Sequence, residues 1–454
     1  MLFARHDLHR CFPKGSESAR SYYEAHPESR EYDERIAALP GIGRNGAGDA
    51  PLFEELFAAA RSLARESDVD GRPAAARTDL APEEAARRVK AYARLIGADD
   101  VRTGPLRREW VYSHVGRSFG DAEGHEPWGT PVDLSHHPNA IALAFRMDLD
   151  FVKSAPEFPT LVATGAAYAL GAHVTVRLAE YVRSLGYSAR AHHVYNYRVL
   201  AVPVAVDCGL GELSRAGFLI TKEFGLGVRI GVVTTDLPLS HDGPVDIGVQ
   251  SFCERCEICA ERCPSGAIPF GPKVEHNGIM KWKLDEERCY RYWHTVGTDC
   301  SICMATCPWT KPHIWLHRGA SRLAAVAGPH QSLMVAGEKL FYGTGTREAR
   351  GRSQGLASLR PTRLGLHMRF AGAAAVALLA LGVWFGADRG LWSAGFQKGA
   401  AYSIWLGWLV FGLAVVWSFA AERERRPAGI AVALFGVPAV VAAALAARAG
   451  WLGF

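Results

Sequence analysis

The stretch that decides the fold reads Cys253-Glu-Arg-Cys256-Glu-Ile-Cys259-Ala-Glu-Arg-Cys263-Pro264, and Cys289 and Cys300-Ser-Ile-Cys303-Met-Ala-Thr-Cys307-Pro308 follow it. The first run has the spacing C-x2-C-x2-C-x3-C-P, which is typical of cysteines that bind iron–sulfur clusters. A tight loop of this kind offers three thiolates to one cluster, and the proline after the last cysteine prevents a helix from continuing. The spacing therefore predicts two 4Fe–4S clusters in a ferredoxin-like unit.

The ligands divide into two sets of four, because in two-cluster units the fourth cysteine of each run ligates the cluster of the other run. The cluster-one set is Cys253, Cys256, Cys259 and Cys307. The cluster-two set is Cys263, Cys289, Cys300 and Cys303. Zinc and disulfides are the alternatives. Zinc sites usually use two close pairs of ligands, and disulfides need an oxidising compartment.

Composition limits the remaining possibilities. The chain has 454 residues, long enough for a substantial core and one or two further units. A net charge of +5 is modest and by itself predicts no nucleic-acid partner. The N-terminus has neither an apolar signal core nor a twin-arginine pair, so we expect the cluster-bearing part to remain in the cytoplasm.

Residues 81–245 are predicted to form an α/β core, which precedes the ferredoxin-like unit that contains the cysteines. The segment Ala81–Ile96 is an amphipathic helix with acidic residues in its first turn, ended by Gly97. A long helix is predicted over 161–185, and apolar strands are predicted near Val101 and Ala189, at 140–147 and at 228–235. Helices that alternate with apolar strands indicate a layered α/β fold. Residues 1–80 are predicted to form an irregular, partly helical segment that wraps around the core and covers part of a site.

The composition changes after a basic linker. Residues 346–369 contain six arginines and one glutamate. Beyond them, 370–387, 399–421 and 428–447 are each apolar and near the length that spans a bilayer. The positive-inside rule places the residues before 370 in the cytoplasm and the C-terminus outside. The sequence thus predicts a three-helix anchor in the lipid bilayer over 370–454.

Several motifs in order resemble one known family. They are Gly209-Leu-Gly-Glu-Leu-Ser-Arg-Ala-Gly217, Val228-Arg-Ile-Gly-Val-Val-Thr-Thr-Asp-Leu-Pro-Leu239 and Lys283-Leu-Asp-Glu-Glu-Arg-Cys289-Tyr-Arg-Tyr-Trp293, followed by Gly297-Thr-Asp-Cys300. With the cysteine runs, this series resembles the corrinoid- and iron–sulfur-dependent reductive dehalogenases over about half the chain. The resemblance implies a nitroreductase-like α/β (α+β) core that binds cobalamin, with an appended two-cluster unit.

The resemblance also implies site residues. The family's proton donor, a tyrosine paired with a basic residue, falls on Tyr168 and Arg229. A nearby cation makes a tyrosine a better proton donor because it stabilises the phenolate. Contacts with the cofactor are implied for Gly209, Gly211 and Thr235, whereas Trp293 could line the substrate pocket or pack beside a cluster.

Together these features predict a membrane-anchored enzyme that removes halide from an organohalide, with soluble ferredoxin or a membrane oxidoreductase as the low-potential electron donor. The predicted domains are 1–80, 81–245, 246–320, 321–369 and 370–454. One alternative is an enzyme similar to epoxyqueuosine reductase that acts on tRNA. Another is an electron-transfer subunit without a corrinoid. Cobalt content separates the second alternative from the enzymes, and salt-sensitive tRNA binding identifies the first.

Overall fold

The structure, a computed structural model, describes residues 17–39, 42, 50–115, 124–127, 130–276, 278–311 and 315–342. The chain divides into two units, Met1–Thr362 and Arg363–Phe454, and every described residue belongs to the first. The predicted linker and the three predicted membrane spans lie outside the described residues.

Helices cover most of the described N-terminal and cysteine-rich parts. In chain order they are α1 (Glu17–Ala25), α2 (Pro27–Ala37), α3 (Ala50–Arg61), α4 (Glu66–Val69), α5 (Pro82–Leu95), α6 (Leu149–Lys153), α7 (Phe158–Ser184), α8 (Ala201–Asp207), α9 (Val249–Arg255), α10 (Ile258–Glu261), α11 (Glu286–Val296), α12 (Ile302–Thr306), α13 (Trp315–Ala324) and α14 (His330–Tyr342). A short 3-10 helix covers Arg108–Trp110. The N-terminal segment, predicted as irregular and partly helical, contains α1 to α4.

The strands are β1 (Asp100–Pro105), β2 (Asn139–Arg146), β3 (Ala189–His192), β4 (Glu212–Leu213), β5 (Leu219–Ile220), β6 (Val228–Thr235), β7 (Val274–His276) and β8 (Ile279–Lys281). Four of them form one sheet in the order β1-β2-β6-β3, and each neighbouring pair is antiparallel. The pairs β4–β5 and β7–β8 form separate two-stranded ribbons. The predicted mixed α/β core is confirmed.

The sheet is buried on both faces, and β2 shows why its sequence is almost continuously apolar. Its odd-numbered residues 141 to 145 belong to the core that contains α7. Its even-numbered residues 140 to 144 belong to a second core, which contains Val204 and Ala205 of α8. Because side chains alternate between the two faces of a strand, helices on both sides require apolar residues at every position.

Helix α7 is the central helix of this core. Within the described ranges it is the one helix long and apolar enough to cross a bilayer, and 61% of its most apolar window is buried inside the protein. Core helices of soluble proteins meet the same criterion. Its packing against the sheet explains its composition, so α7 adds little support for membrane association.

Two buried arginines attach α4 to the core. Arg190 of β3 contacts Glu66 at 2.7 Å and Asp70 at 3.1 Å, and Arg198 contacts Glu66 at 2.7 Å. The Arg190 and Arg198 side chains are only 5% and 2% exposed. Buried guanidinium groups without partners would be costly, so these ion pairs fix the N-terminal segment to the edge of the sheet.

Candidate active site and cluster-binding cysteines

Helix α7 packs closely on strands β6 and β2 because Gly231 and Gly171 have no side chain at the points of contact. A Cβ on Gly231 would lie 2.5 Å from the Thr175 side chain, and a Cβ on Gly171 would lie 3.2 Å from Phe145. Positions 164, 168, 171 and 175 recur at helical spacing and share one face of α7. Residues 229 and 231 share one face of β6. The close approach therefore brings positions 164 and 168 next to Arg229.

Tyr168 and Arg229 do meet in the structure. The Arg229 Cζ lies 5.2 Å from the centroid of the Tyr168 ring, a cation–π contact. The half-buried tyrosine ring also packs beside Phe57, with 6.3 Å between ring centroids. The cation thus lies over the ring of the predicted proton donor, and Phe57 of α3 packs beside the same ring.

The Arg229 guanidinium is held by two further side chains. Its Nη2 donates to Asp299 Oδ2 at 2.8 Å and to Thr164 Oγ1 at 2.7 Å. The Arg229 and Asp299 side chains are 13% and 8% exposed. Burial raises the pKa of Asp299 above its usual value, and Arg229 and the Thr164 hydroxyl oppose that shift. Arg229, Asp299, Thr164 and Tyr168 form what we call the proton-site group.

Asp299 was not among the site residues predicted from the sequence. It lies directly before Cys300 in Gly297-Thr-Asp-Cys300, so it joins the proton-site group to the cluster-two set through one peptide bond. The available signal was an acidic residue directly next to a proposed ligand. Nothing in the sequence indicated that its partner lies 70 residues away on β6.

All four thiols of the cluster-one set line one small cavity, together with Arg215 and apolar side chains that include Phe252, Ile220 and Trp309. Helices α9 and α10 carry Cys253 and Cys259, and Cys256 and Cys307 follow the last turns of α9 and α12. Four thiols around one mostly apolar cavity fit the ligation of a single cluster.

The cluster-two set forms a second group. Cys263 and Cys289 interact electrostatically with each other, and both interact with Cys300 and Cys303. Cys300 and the following Ser301 have φ values of 60° and 53°, in the left-handed region. Non-glycine residues rarely adopt this conformation, and such residues cluster at functional sites.

The cysteines are buried thiols in the protein as described. Burial raises the pKa of Cys253 and of Cys289 to about 12, and those of Cys256, Cys259, Cys300, Cys303 and Cys307 also rise. The nine described cysteines form no disulfide, and within the described ranges no group of three or more His, Cys, Asp or Glu side chains is arranged around a single metal ion. Thiolates bind metals, so cluster assembly must release protons from these sites.

The predicted corrinoid contacts have roles within the protein. A Cβ on Gly209 would lie 2.1 Å from Gly243 O, and one on Gly211 would lie 2.1 Å from Ile220 O. The hydroxyl of Thr235 donates to Ser188 O at 2.6 Å and accepts from the Leu237 amide at 2.9 Å. These contacts account for the three residues, and a role in binding the cofactor stays a prediction.

Trp293 lies beside the cluster-two set. It is on α11, where its side chain is hydrogen-bonded to Cys289 and its ring lies 5.9 Å from that of Tyr290. Of the two roles that the sequence left open, this position favours packing beside a cluster.

The proton-site group has an unused donor. Arg229 Nε is buried and has no hydrogen-bond partner among the described residues. An unpaired buried donor is costly, so its presence at a site calls for an explanation. It fits a site that receives a polar cofactor or substrate next to Tyr168.

A family model described as a 4Fe-4S dicluster domain matches residues 252–311. The tetrachloroethene reductive dehalogenase of Sulfurospirillum multivorans is 34% identical over 269 residues, which cover 53% of this chain and 53% of that protein. An epoxyqueuosine reductase of Lactococcus garvieae is 30% identical over 125 residues, 24% of this chain and 32% of that protein.

A solved structure of a reductive dehalogenase, described as suggesting a mechanism for B12-dependent dehalogenation, is 26% identical with a TM-score of 0.58. The match covers 70% of this chain and 44% of that chain. The chain spans about half the length of the curated dehalogenase it matches.

Proposed function

We propose that this chain, which is similar to reductive dehalogenases over about half its length, is a membrane-anchored enzyme that removes halide from an organohalide. The proposed cofactors are two 4Fe–4S clusters and a cobalamin. One observation carries the proposal: the proton-site group lies in the core and is joined to the cluster-two set through Asp299.

The chain's own residues would hold the groups that carry electrons from an external donor, and they would supply a proton to the reaction. When bound, the corrinoid supplies the low-valent cobalt that removes the halide. Tyr168 donates the proton that the dehalogenated carbon requires. Arg229, 5.2 Å from the centre of the Tyr168 ring, stabilises the negative charge that remains on the phenolate oxygen. Asp299 and Thr164 hold the guanidinium in place for this task.

The cysteine unit carries the electrons. The cluster-one set and the cluster-two set each supply four thiolates to one cluster, and ferredoxin-type clusters reach potentials low enough to reduce a corrinoid. We propose a low-potential donor such as ferredoxin or a membrane oxidoreductase. Residues 370–454 would anchor the enzyme with its catalytic part in the cytoplasm.

A corrinoid enzyme that acts on tRNA is the second candidate, since 24% of the chain is similar to an epoxyqueuosine reductase. That class uses an aspartate as its acid, whereas this chain has Tyr168 at the matched position. We therefore expect no nucleic acid among its partners.

The test is a metal count and a halide-release assay on protein purified anaerobically in detergent and reconstituted with cobalamin. We expect about one cobalt and about eight iron atoms per chain, the latter from two four-iron clusters. Iron without cobalt after reconstitution would leave an electron carrier. Turnover of an epoxyqueuosine-containing tRNA stem loop without halide release would identify the tRNA enzyme.

A matched pair of variants tests the proton donor. Tyr168→Phe removes the hydroxyl next to Arg229, and loss of a general acid typically costs about 10²–10⁴-fold in rate. Tyr181→Phe is the control, because Tyr181 is on the same helix but packs against Tyr92, with 4.6 Å between ring centroids. Equal activity of the two variants would remove Tyr168 from the mechanism.

A further inference from the structure

Arg215 is a fully buried arginine for which the reaction outlined above has no use. Its side chain is 1% exposed, and it lines the same cavity as the four thiols of the cluster-one set. It lies in the turn between β4 and β5, within the motif Gly209–Gly217. Arginine is almost never fully buried without partners, so its position requires a reason.

The partners of Arg215 are almost entirely backbone carbonyls. Nη2 donates to Cys253 O at 2.8 Å, and Nε donates to Cys253 O at 3.1 Å and to Cys256 O at 3.2 Å. Nη1 donates to Pro269 O and Gly271 O, at 3.0 and 2.9 Å. Carbonyls satisfy the donors without cancelling the charge. The guanidinium therefore holds the loop that carries two ligands, and it brings a positive charge to the cluster cavity.

The negative partner of Arg215 is weak. Glu257 Oε1 lies 3.5 Å from Nη1, and the Glu257 side chain is 33% exposed. Solvent screens an exposed carboxylate far more than a buried guanidinium. The Arg215 guanidinium also stacks on the Trp282 ring, with 4.8 Å between Cζ and the ring centroid. Its positive charge is therefore only weakly compensated at the cavity that it shares with the cluster-one set.

Lys153 likewise donates to backbone carbonyls near a ligand of the cluster-one set. Its Nζ donates to Ala305 O and to Thr310 O, carbonyls that flank Cys307. The charge of Lys311 also favours the thiolate form of Cys307, and Lys311 forms an ion pair with Glu338. Carboxylates offset these cations only in part. The charge of Glu212 disfavours the Cys253 thiolate, but this effect is weaker than that of Arg215, which favours it. The charge of Glu338 disfavours the Cys256 thiolate.

The charges beside the cluster-two set have the opposite sign. Asp299 acts on Cys289 and Cys300, and Glu286 acts on Cys289. Each of these carboxylates is in an ion pair, with Arg229 and Lys283 respectively, so its charge is partly cancelled. The cluster-one set thus faces a buried cation whose partners are mostly carbonyls, whereas the cluster-two set faces ion-paired carboxylates.

We propose that Arg215, assisted by Lys153, raises the reduction potential of the cluster bound by the cluster-one set above that of its neighbour. Reduction adds one electron to a cluster, and a buried cation stabilises the more negative, reduced form. The electron comes from a low-potential one-electron donor, and no proton transfer is required. In a half-reduced protein the electron then resides on the first cluster. The inference rests on the cluster assignment made above, but it needs neither a corrinoid nor an organohalide.

The experiment is a potentiometric titration followed by electron paramagnetic resonance on the anaerobic, iron-loaded full chain in detergent. A parallel Cys253→Ser variant, which should lose the first cluster, identifies the signal of that cluster by its absence. We expect two reduction waves, the higher one from the first cluster. Arg215→Gln should lower that wave by at least a tenfold change in equilibrium, about 59 mV for one electron, and leave the lower wave in place.

Charge and hydrogen bonding are separated by Arg215→Lys, which keeps the positive charge but loses most of the carbonyl bonds. This variant should keep the wild-type potential. An equal shift in Arg215→Lys and Arg215→Gln, a shift of the lower wave, or no shift with the full iron content would each overturn the proposal.

A second variant tests the same proposal if the Arg215→Gln protein does not retain the first cluster. Lys153→Met alters a half-buried residue and should lower the same wave by a smaller amount, and Lys153→Arg should not. Unchanged waves in Lys153→Met with full iron content would overturn the proposal as well. Loss of halide release with normal potentials would instead count against the dehalogenase function alone.

Discussion

Replacing Asp299 by asparagine tests whether the proton site depends on the segment that carries the clusters. The carboxylate accepts from Arg229 at 2.8 Å and from the Thr164 hydroxyl, and all three groups are largely buried. Asparagine keeps the size of the side chain but removes its charge. The variant therefore leaves Arg229 without an anionic partner while the packing around it stays close to the original.

The magnitude follows from the geometry. Two unit charges 2.8 Å apart interact by about 6 kcal/mol at an effective dielectric constant of about 20. Desolvation offsets part of this, and loss of one partner of a buried pair typically costs about 3–5 kcal/mol of unfolding free energy. Because a displaced Arg229 no longer stabilises the phenolate of Tyr168, we expect halide release to fall by about 10²-fold, the lower end of the general-acid range.

The assay combines halide release with iron and cobalt contents for Asp299→Asn and for Thr164→Val. Thr164→Val removes one hydrogen bond to the same carboxylate and leaves the ion pair, so its rate should fall less. The reasoning is refuted if Asp299→Asn retains both metals and the wild-type rate. A loss of iron in Asp299→Asn, with Thr164→Val fully active, would show that Asp299 serves the cluster-two set rather than Arg229.

Three further results are expected. Burial lowers the pKa values of three histidines, to about 4 for two of them and well below 6.5 for the third: His137, His193 and His192. In the unfolded chain these histidines become protonated below about pH 6.5, whereas in the folded protein they stay neutral. The unfolding free energy is therefore highest above that pH, and it falls toward pH 4 by up to about 1.4 kcal/mol per pH unit for each histidine. Denaturant unfolding at pH 7.5 and 5.5, with His137→Gln reducing the difference, checks this. Gly211→Ala would place a Cβ 2.1 Å from Ile220 O and should cost about 1–3 kcal/mol, whereas Gly337→Ala, with open space around it, should not lower the melting temperature. Cys307→Ser should reduce the iron content from about eight toward about four atoms, and loss of both clusters or of neither would contradict the division of ligands.

The elements that could be predicted from the sequence are those with a local signal. The helix predicted over Ala81–Ile96 is α5, and its first turn carries the proline and the two glutamates that mark a helix start. The helix predicted over 161–185 is α7, and the strands at 140–147 and 228–235 are β2 and β6. Each is a continuous run of chain in which periodicity or β-branched residues reveal the environment.

Contacts between distant segments could not be predicted in this way. Arg229 and Asp299 are separated by 70 residues, and the ion pair exists only because β6 and the turn before α12 meet. Arg215 lies in a turn with glycines on both sides, where an arginine usually points into solvent. Its burial depends on five carbonyl contacts from residues 253–271, which the sequence does not reveal.

Arg215 and Arg229 show how the rest of the fold contributes to the surroundings of the cysteines. The cysteine unit does not form its environment alone, since each set of ligands faces a charged side chain that is held by another part of the fold. Arg215 comes from the turn between β4 and β5, and Arg229 comes from the central sheet and reaches the cluster-two set through Asp299. A charge on the core acts on a cluster only while the two parts keep their positions to within a few ångströms, because the interaction weakens with distance and with solvent entry. Substitutions that loosen the packing of the cysteine unit on the core should therefore change cluster potentials and proton delivery together, even where every ligand remains.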